Sequence, residues 1–87
     1  MTIEEQIVCK RAIEAFGCRN QKMKAIEEMA ELTNALMKEP QNRATSADII
    51  DEIADVTIMA EQLAIMYGQD LVRERISQKI QRLKKIL

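Results

Sequence analysis

Three residues punctuate this chain. Gly17, Pro40 and Gly68 hold nearly all of its helix-breaking capacity, since two glycines and one proline are the whole supply in 87 residues. A chain this poor in turn material folds into few, long elements. Its apolar residues fit that outcome. Hydrophobic side chains make up 47% of the sequence, yet Phe16 and Tyr67 are the only aromatics. A core drawn from Ile, Leu, Met, Ala and Val is a helical palette. The expected fold is all-α: one domain over residues 1–87, built as a four-helix bundle with short connections.

The punctuation sets the helices. The first is expected from about Ile3 to Phe16 with Gly17 as its stop, its apolar residues clustering at Val8, Ala12, Ala15 and Phe16. Asn20 is the expected N-cap of the second, Gln21 to about Lys38, with Ala25, Met29, Leu32, Thr33 and Leu36 as its apolar stripe and Glu28 at the margin. Pro40 ends it within a polar loop. Thr45 followed by Asp48 forms a capping box opening a third helix, which runs to Tyr67 and Gly68. That helix is apolar nearly all round beyond Asp55, as a central helix should be. Asp70 is the expected cap of the last helix, which turns Leu71, Val72, Ile76, Ile80, Leu83 and Leu87 inward.

Charge divides the chain. Net charge is −1, but residues 27–61 hold nine acids against Lys38 and Arg43, whereas residues 72–87 hold six bases against Glu74. An acidic centre beside a basic helix suits a metal-plus-phosphate site; it equally suits two helices neutralising each other. Polar and acidic residues interrupt the segment from Met1 to Cys9, and no apolar run approaches the ~20 residues of a membrane span. The expected location is cytoplasmic, without membrane association. Cys9 and Cys18 lack CxxC spacing and read as structural thiols. A chain of this size buries a modest core, so assembly into a homodimer or homotetramer is expected.

The acids are themselves patterned. Glu28 and Glu31 lie three residues apart on one helix, and Glu52 and Asp55 on another, so each pair shares a face. On the second of these helices Asp51, Glu52 and Asp55 fall at about −60°, +40° and −20° from Asp48, one sector of about 100°. If the helices pack together, four carboxylates converge with no histidine or thiolate among them. Such an oxygen donor set suits Mg²⁺ or Mn²⁺. Ordinary solvated positions remain open from spacing alone, because Lys24 can pair with Glu28 at i+4. Two carboxylates about 6 Å apart repel by roughly 0.7 kcal/mol in water but roughly 3 kcal/mol at an effective dielectric of 20. Apolar neighbours such as Leu32, Ile53, Val56 and Met59 therefore favour a neutralising cation.

Glu27-Glu28-Met29-Ala30-Glu31 followed by Glu52-Ile53-Ala54-Asp55 resembles the EExxE…ExxD signature of the MazG-like all-α nucleoside triphosphate pyrophosphohydrolases. Lys24-Ala25-Ile26 before it and Val56 to Leu63 after it agree, and the resemblance spans about residues 20–87. It implies hydrolysis of a nucleoside triphosphate to monophosphate and pyrophosphate, a nucleotide-pool housekeeping reaction. Carried over by position, Glu28, Glu31, Glu52 and Asp55 would be the Mg²⁺ ligands. Glu27 and Glu28 would be the catalytic carboxylates, Glu27 orienting water. Lys79 and Arg82, with Lys24 behind them, are the candidate phosphate contacts. The chain departs from the family in offering few aromatic or amide groups for a base: Phe16, Tyr67, Asn20 and Asn34.

Two other classes compete. A di-iron or di-manganese bundle would carry Glu-x-x-His pairs, and this chain has no histidine. A non-catalytic regulatory or nucleic-acid-binding protein would use the basic C-terminal helix on phosphate backbone. The acidic middle of the chain disfavours that reading.

Overall fold

The computed structural model describes all residues from Met1 to Leu87. Four helices, α1 (Ile3–Phe16), α2 (Cys18–Lys38), α3 (Ser46–Tyr67) and α4 (Gln69–Ile86), account for nearly the whole chain, and there are no strands. No helix is long and apolar enough to cross a membrane.

The punctuation acts where the sequence places it. Gly17 and Gly68 adopt φ of 88° and 120°, values that side chains rarely tolerate. Each serves two helices, as C-cap of one and N-cap of the next. Two capping boxes start the other helices. Thr2 and Glu5 exchange side-chain and backbone hydrogen bonds ahead of α1, and Thr45 and Asp48 do so ahead of α3. A 3-10 turn, Glu39–Gln41, follows α2 through Pro40.

Two expected caps fall elsewhere. Asn20 lies inside α2, and its amide donates to the Phe16 carbonyl at 2.8 Å, closing the end of α1 instead. Asp70 lies in the first turn of α4, 3.7 Å from Arg73, while Gly68 takes the cap position.

α3 is the central helix, packing against α1, α2 and α4. Its main partner is α2, and the seam between them is partly polar. Gln21 donates to Gln62 across it at 2.8 Å, both side chains buried. Ala25, Ile49 and Met59 are buried with them, and Cys9 of α1 closes the core. The Cys9 thiol is pushed up by burial and by the nearby Glu61 and Glu5 carboxylates, which disfavours its thiolate. At the junction of α1, α3 and α4, the Gln69 amide donates to Glu61 at 2.7 Å and to Gln6 at 3.2 Å.

Three apolar faces differ from expectation. On α1 it is Cys9 that turns inward, while Val8, Ala15 and Phe16 are exposed. On α2 the buried residues are Gln21, Ala25 and Glu28, so Glu28 stands at the centre of the inward face. Met29, Thr33 and Leu36 are exposed. On α4 only Val72 is partly covered; Leu71, Ile76, Ile80, Leu83 and Leu87 are exposed. The common reason is that α3 alone cannot cover three amphipathic neighbours. Tyr67, at the end of α3, is exposed, with the Lys22 ammonium 5.0 Å from its ring centroid.

Candidate metal centre

The register of α2 against α3 decides which acids meet. The helices run antiparallel, with Gln21 opposite Gln62. Seven residues on from Gln21 lies Glu28, and seven back from Gln62 lies Asp55; three further on each side come Glu31 and Glu52. An i,i+3 pair on one helix is thus laid against an i,i+3 pair on the other, across the same side of the seam.

One carboxylate oxygen from each of Glu28, Glu31 and Glu52 lies within 4.8 Å of the other two. Glu28 is buried, Glu52 half-buried and Glu31 exposed. Asp55 stands behind this group: burial and then the adjacent Glu28 carboxylate raise its pKa. Glu31 is also raised, first by the adjacent Glu28 side chain and then by the Glu28 charge. Acids crowded in this way favour a compensating positive charge.

Lys24 supplies part of that charge. Its ammonium lies 3.1 Å from Glu28 Oε1, and the contact raises its own pKa. One ammonium against four carboxylates leaves most of the negative charge uncompensated. Glu28 Oε2 and Glu52 Oε2 are buried and have no hydrogen-bond partner. Buried polar atoms are nearly always partnered, and a bare buried carboxylate oxygen is strongly disfavoured. Within 4.8 Å, Glu28 and Glu52 repel by about 3.5 kcal/mol or more at an effective dielectric of 20.

These residues fit a hard divalent cation. All donors are carboxylate oxygens, and Glu28 and Glu52 each keep one buried oxygen without a hydrogen-bond partner. Ligands about 2.1 Å from Mg²⁺ stand at most about 4.2 Å apart. Side-chain rotation can supply the small contraction from 4.8 Å.

The remaining expected site residues divide. Lys24 is at the cluster. Glu27 is not: it projects outward at 63% side-chain exposure, 4.0 Å from Lys24, because neighbours on a helix differ by about 100°. Lys79 and Arg82 lie on the exposed surface of α4 and make no ion pair with these acids in the same chain. What the sequence reading missed are Lys38 and Arg43. They line a cavity of about 290 Å³ together with Glu31 and Glu52. The available signal was that they are the only two bases in the acidic window 27–61. Comparison of the chain with protein-family models, with curated proteins and with solved structures gave no match.

Proposed function

We propose that the chain is a Mg²⁺-dependent nucleoside triphosphate pyrophosphohydrolase of the MazG-like type, with Mn²⁺ as an alternative ion. The observation that carries this reading is the buried, unpartnered pair Glu28 Oε2 and Glu52 Oε2 within a group of three converging carboxylates. The EExxE…ExxD pattern supplies the reaction. Glu28, Glu31 and Glu52 would hold the ion, and Asp55 would complete the set from behind Glu28. Bound there, Mg²⁺ would disperse the charge that develops on phosphate oxygens as the anhydride breaks.

The chain's own groups do the rest. Water adds to the α-phosphorus, the bond from that phosphorus to the bridging oxygen breaks, and pyrophosphate departs with the bond's electron pair. The water proton goes to a carboxylate, and Glu28, buried and with an unpartnered oxygen, would accept it. Glu27, outward and solvated, is left to act through Lys24 on the orientation of Glu28.

The same reading includes a homodimer or homotetramer. The chain exposes 6828 Å², whereas a compact monomer of 10.0 kDa would expose about 5,200 Å². The excess of about 1,600 Å² exceeds the ~800 Å² per partner of a standard interface and falls in the obligate range.

The test is to incubate purified protein with each nucleoside triphosphate and Mg²⁺ and to measure pyrophosphate. Turnover in the wild type, lost in Glu28→Ala and Asp55→Ala with helicity retained, is the expected result. No turnover of any canonical or modified nucleotide would defeat the assignment. A second reading has one observation in its favour. Of the six bases on α4 only Arg73 pairs with an acid, so the helix is free to meet nucleic acid. Salt-dependent DNA binding without turnover would select it.

A further inference from the structure

We infer that the cleft between the end of α2 and the start of α3 receives the terminal diphosphate of a metal-bound polyphosphate, with Lys38 and Arg43 as its cationic contacts. This rests on the metal-centre reading and extends it to the group the metal would present.

The cleft is a cavity of about 290 Å³, and its lining includes Glu31 and Glu52 as well as Lys38 and Arg43. The carboxylates proposed to hold the ion and two cations therefore open onto one space. Both cations are uncommitted. The chain's ion pairs are Lys24 with Glu27 and Glu28, and Arg73 with Asp70. Neither Lys38 nor Arg43 closes onto the acids that share its cavity. The Arg43 guanidinium meets only the Gln41 amide oxygen, at 3.4 Å. In a cleft with three carboxylates, two cations held off from all of them are placed for a ligand that satisfies both.

The backbone brings residues 38 and 43 together. The Arg43 amide donates to the Lys38 carbonyl at 3.1 Å, and the Asn42 amide to the Glu39 carbonyl at 3.0 Å. Asn42 makes the reversal in the left-handed region, at φ 57°, where asparagine is well tolerated. The N-terminus of α3 adds little, because Thr45 and Asp48 already cap it.

Size and charge select the ligand. At about 290 Å³ the cleft lies at the small end of the range for ligand pockets, about 300 to 1,000 Å³, with room for a diphosphate. Its walls are polar, broken only by Ala35 and Ala44, and carry no aromatic ring. Three carboxylates against two cations leave the cleft net negative. A bare oxyanion is repelled, and one that arrives with a divalent cation is not. Diphosphate binding should therefore require the metal.

Calorimetric titration of inorganic pyrophosphate tests this, with and without saturating Mg²⁺, alongside a separate titration of Mn²⁺. Pyrophosphate should bind the wild type only with Mg²⁺. Lys38→Gln and Arg43→Gln should each weaken it about tenfold, the size of one lost charge-assisted contact, while Mn²⁺ affinity changes by less than about threefold. Intact Mn²⁺ binding, with pyrophosphate binding absent or indifferent to both cations, overturns the diphosphate cleft and leaves the metal centre standing. A wild type that binds no Mn²⁺ overturns both.

Discussion

Glu28 is 6% exposed and shares its surroundings with three other carboxylates. The pKa values of Glu31 and Asp55 are raised above their ordinary 4.5 and 3.8 by Glu28 and by burial. A carboxyl whose pKa is higher folded than unfolded stabilises the fold when protonated, and that contribution fades as pH rises through the folded value. Without divalent metal, the melting temperature should therefore fall as pH climbs from the carboxylate range toward neutrality. Glu5 and Asp48 oppose this trend, since capping hydrogen bonds lower their pKa values and their contribution is lost only on acidification. Glu31→Gln should raise the metal-free melting temperature at pH 7 and flatten its pH dependence; a lowered value at neutral pH would contradict the cluster's self-repulsion. Gln21 and Gln62 give an independent check. Gln21→Leu leaves a buried amide unpaired and should cost about 1–3 kcal/mol, and Gln21→Leu with Gln62→Leu should recover most of it in a double-mutant cycle. The grouping of the acids could be read from the sequence because helical spacing alone puts i and i+3 on one face. That Glu28, rather than Ala25 to Leu36 as a stripe, is the most buried acid could not. Burial depends on which neighbour lies opposite, and only the α2–α3 register supplies that.

At the scale of elements, the helix boundaries follow from local chemistry and were legible for that reason. Gly17 and Gly68 stop helices because only glycine sits easily at their φ values, and Thr45 with Asp48 satisfies the first amides of α3 whatever lies around it. Thr45→Ala should therefore cost about 1 kcal/mol, which lowers the melting temperature of a domain this size by about 4–8 °C. No change on thermal denaturation would mean that the cap contributes nothing. Asn20 and Asp70 were misassigned as caps because the two glycines join helices without a linker, leaving no room for a polar cap residue. The pairing of Glu28 and Glu31 with Glu52 and Asp55 is also an element-scale property. Two i,i+3 pairs meet only if the helices are antiparallel and in step, and the Gln21–Gln62 bond fixes that step. Lys38 and Arg43 escaped notice because a 3-10 turn brings them together, and no periodicity announces it.

The whole molecule is too open for a chain of its length. Its radius of gyration is 15.1 Å, against about 12 Å for a compact chain of 87 residues. It measures 40 × 39 × 22 Å, a slab rather than a sphere. Only seven residues are buried, three of them polar, so the apolar faces of α1, α2 and α4 lack partners within one chain. The face of α4 expected to turn inward is exposed apart from Val72, and sequence periodicity does not say what covers it. In solution at micromolar concentration, light scattering should give a mass of at least twice 10.0 kDa. Ile80→Asp with Leu83→Asp should shift it toward the monomer and lower the melting temperature at the same time. A stable monomeric wild type, with melting independent of concentration, would show that the exposed faces serve something other than self-association.

All three scales converge on whether the carboxylates of Glu28, Glu31, Glu52 and Asp55 bind a divalent cation. Calorimetric titration of Mn²⁺ into the wild type, Glu28→Gln and Glu52→Gln at pH 7 measures this directly, with circular dichroism to confirm that each variant is folded. The expected result is saturable binding by the wild type, weakened at least about tenfold in each variant, together with a metal-dependent rise in melting temperature in the wild type alone. Wild-type affinity retained in both folded variants would contradict the metal centre, and the proposed hydrolase with it.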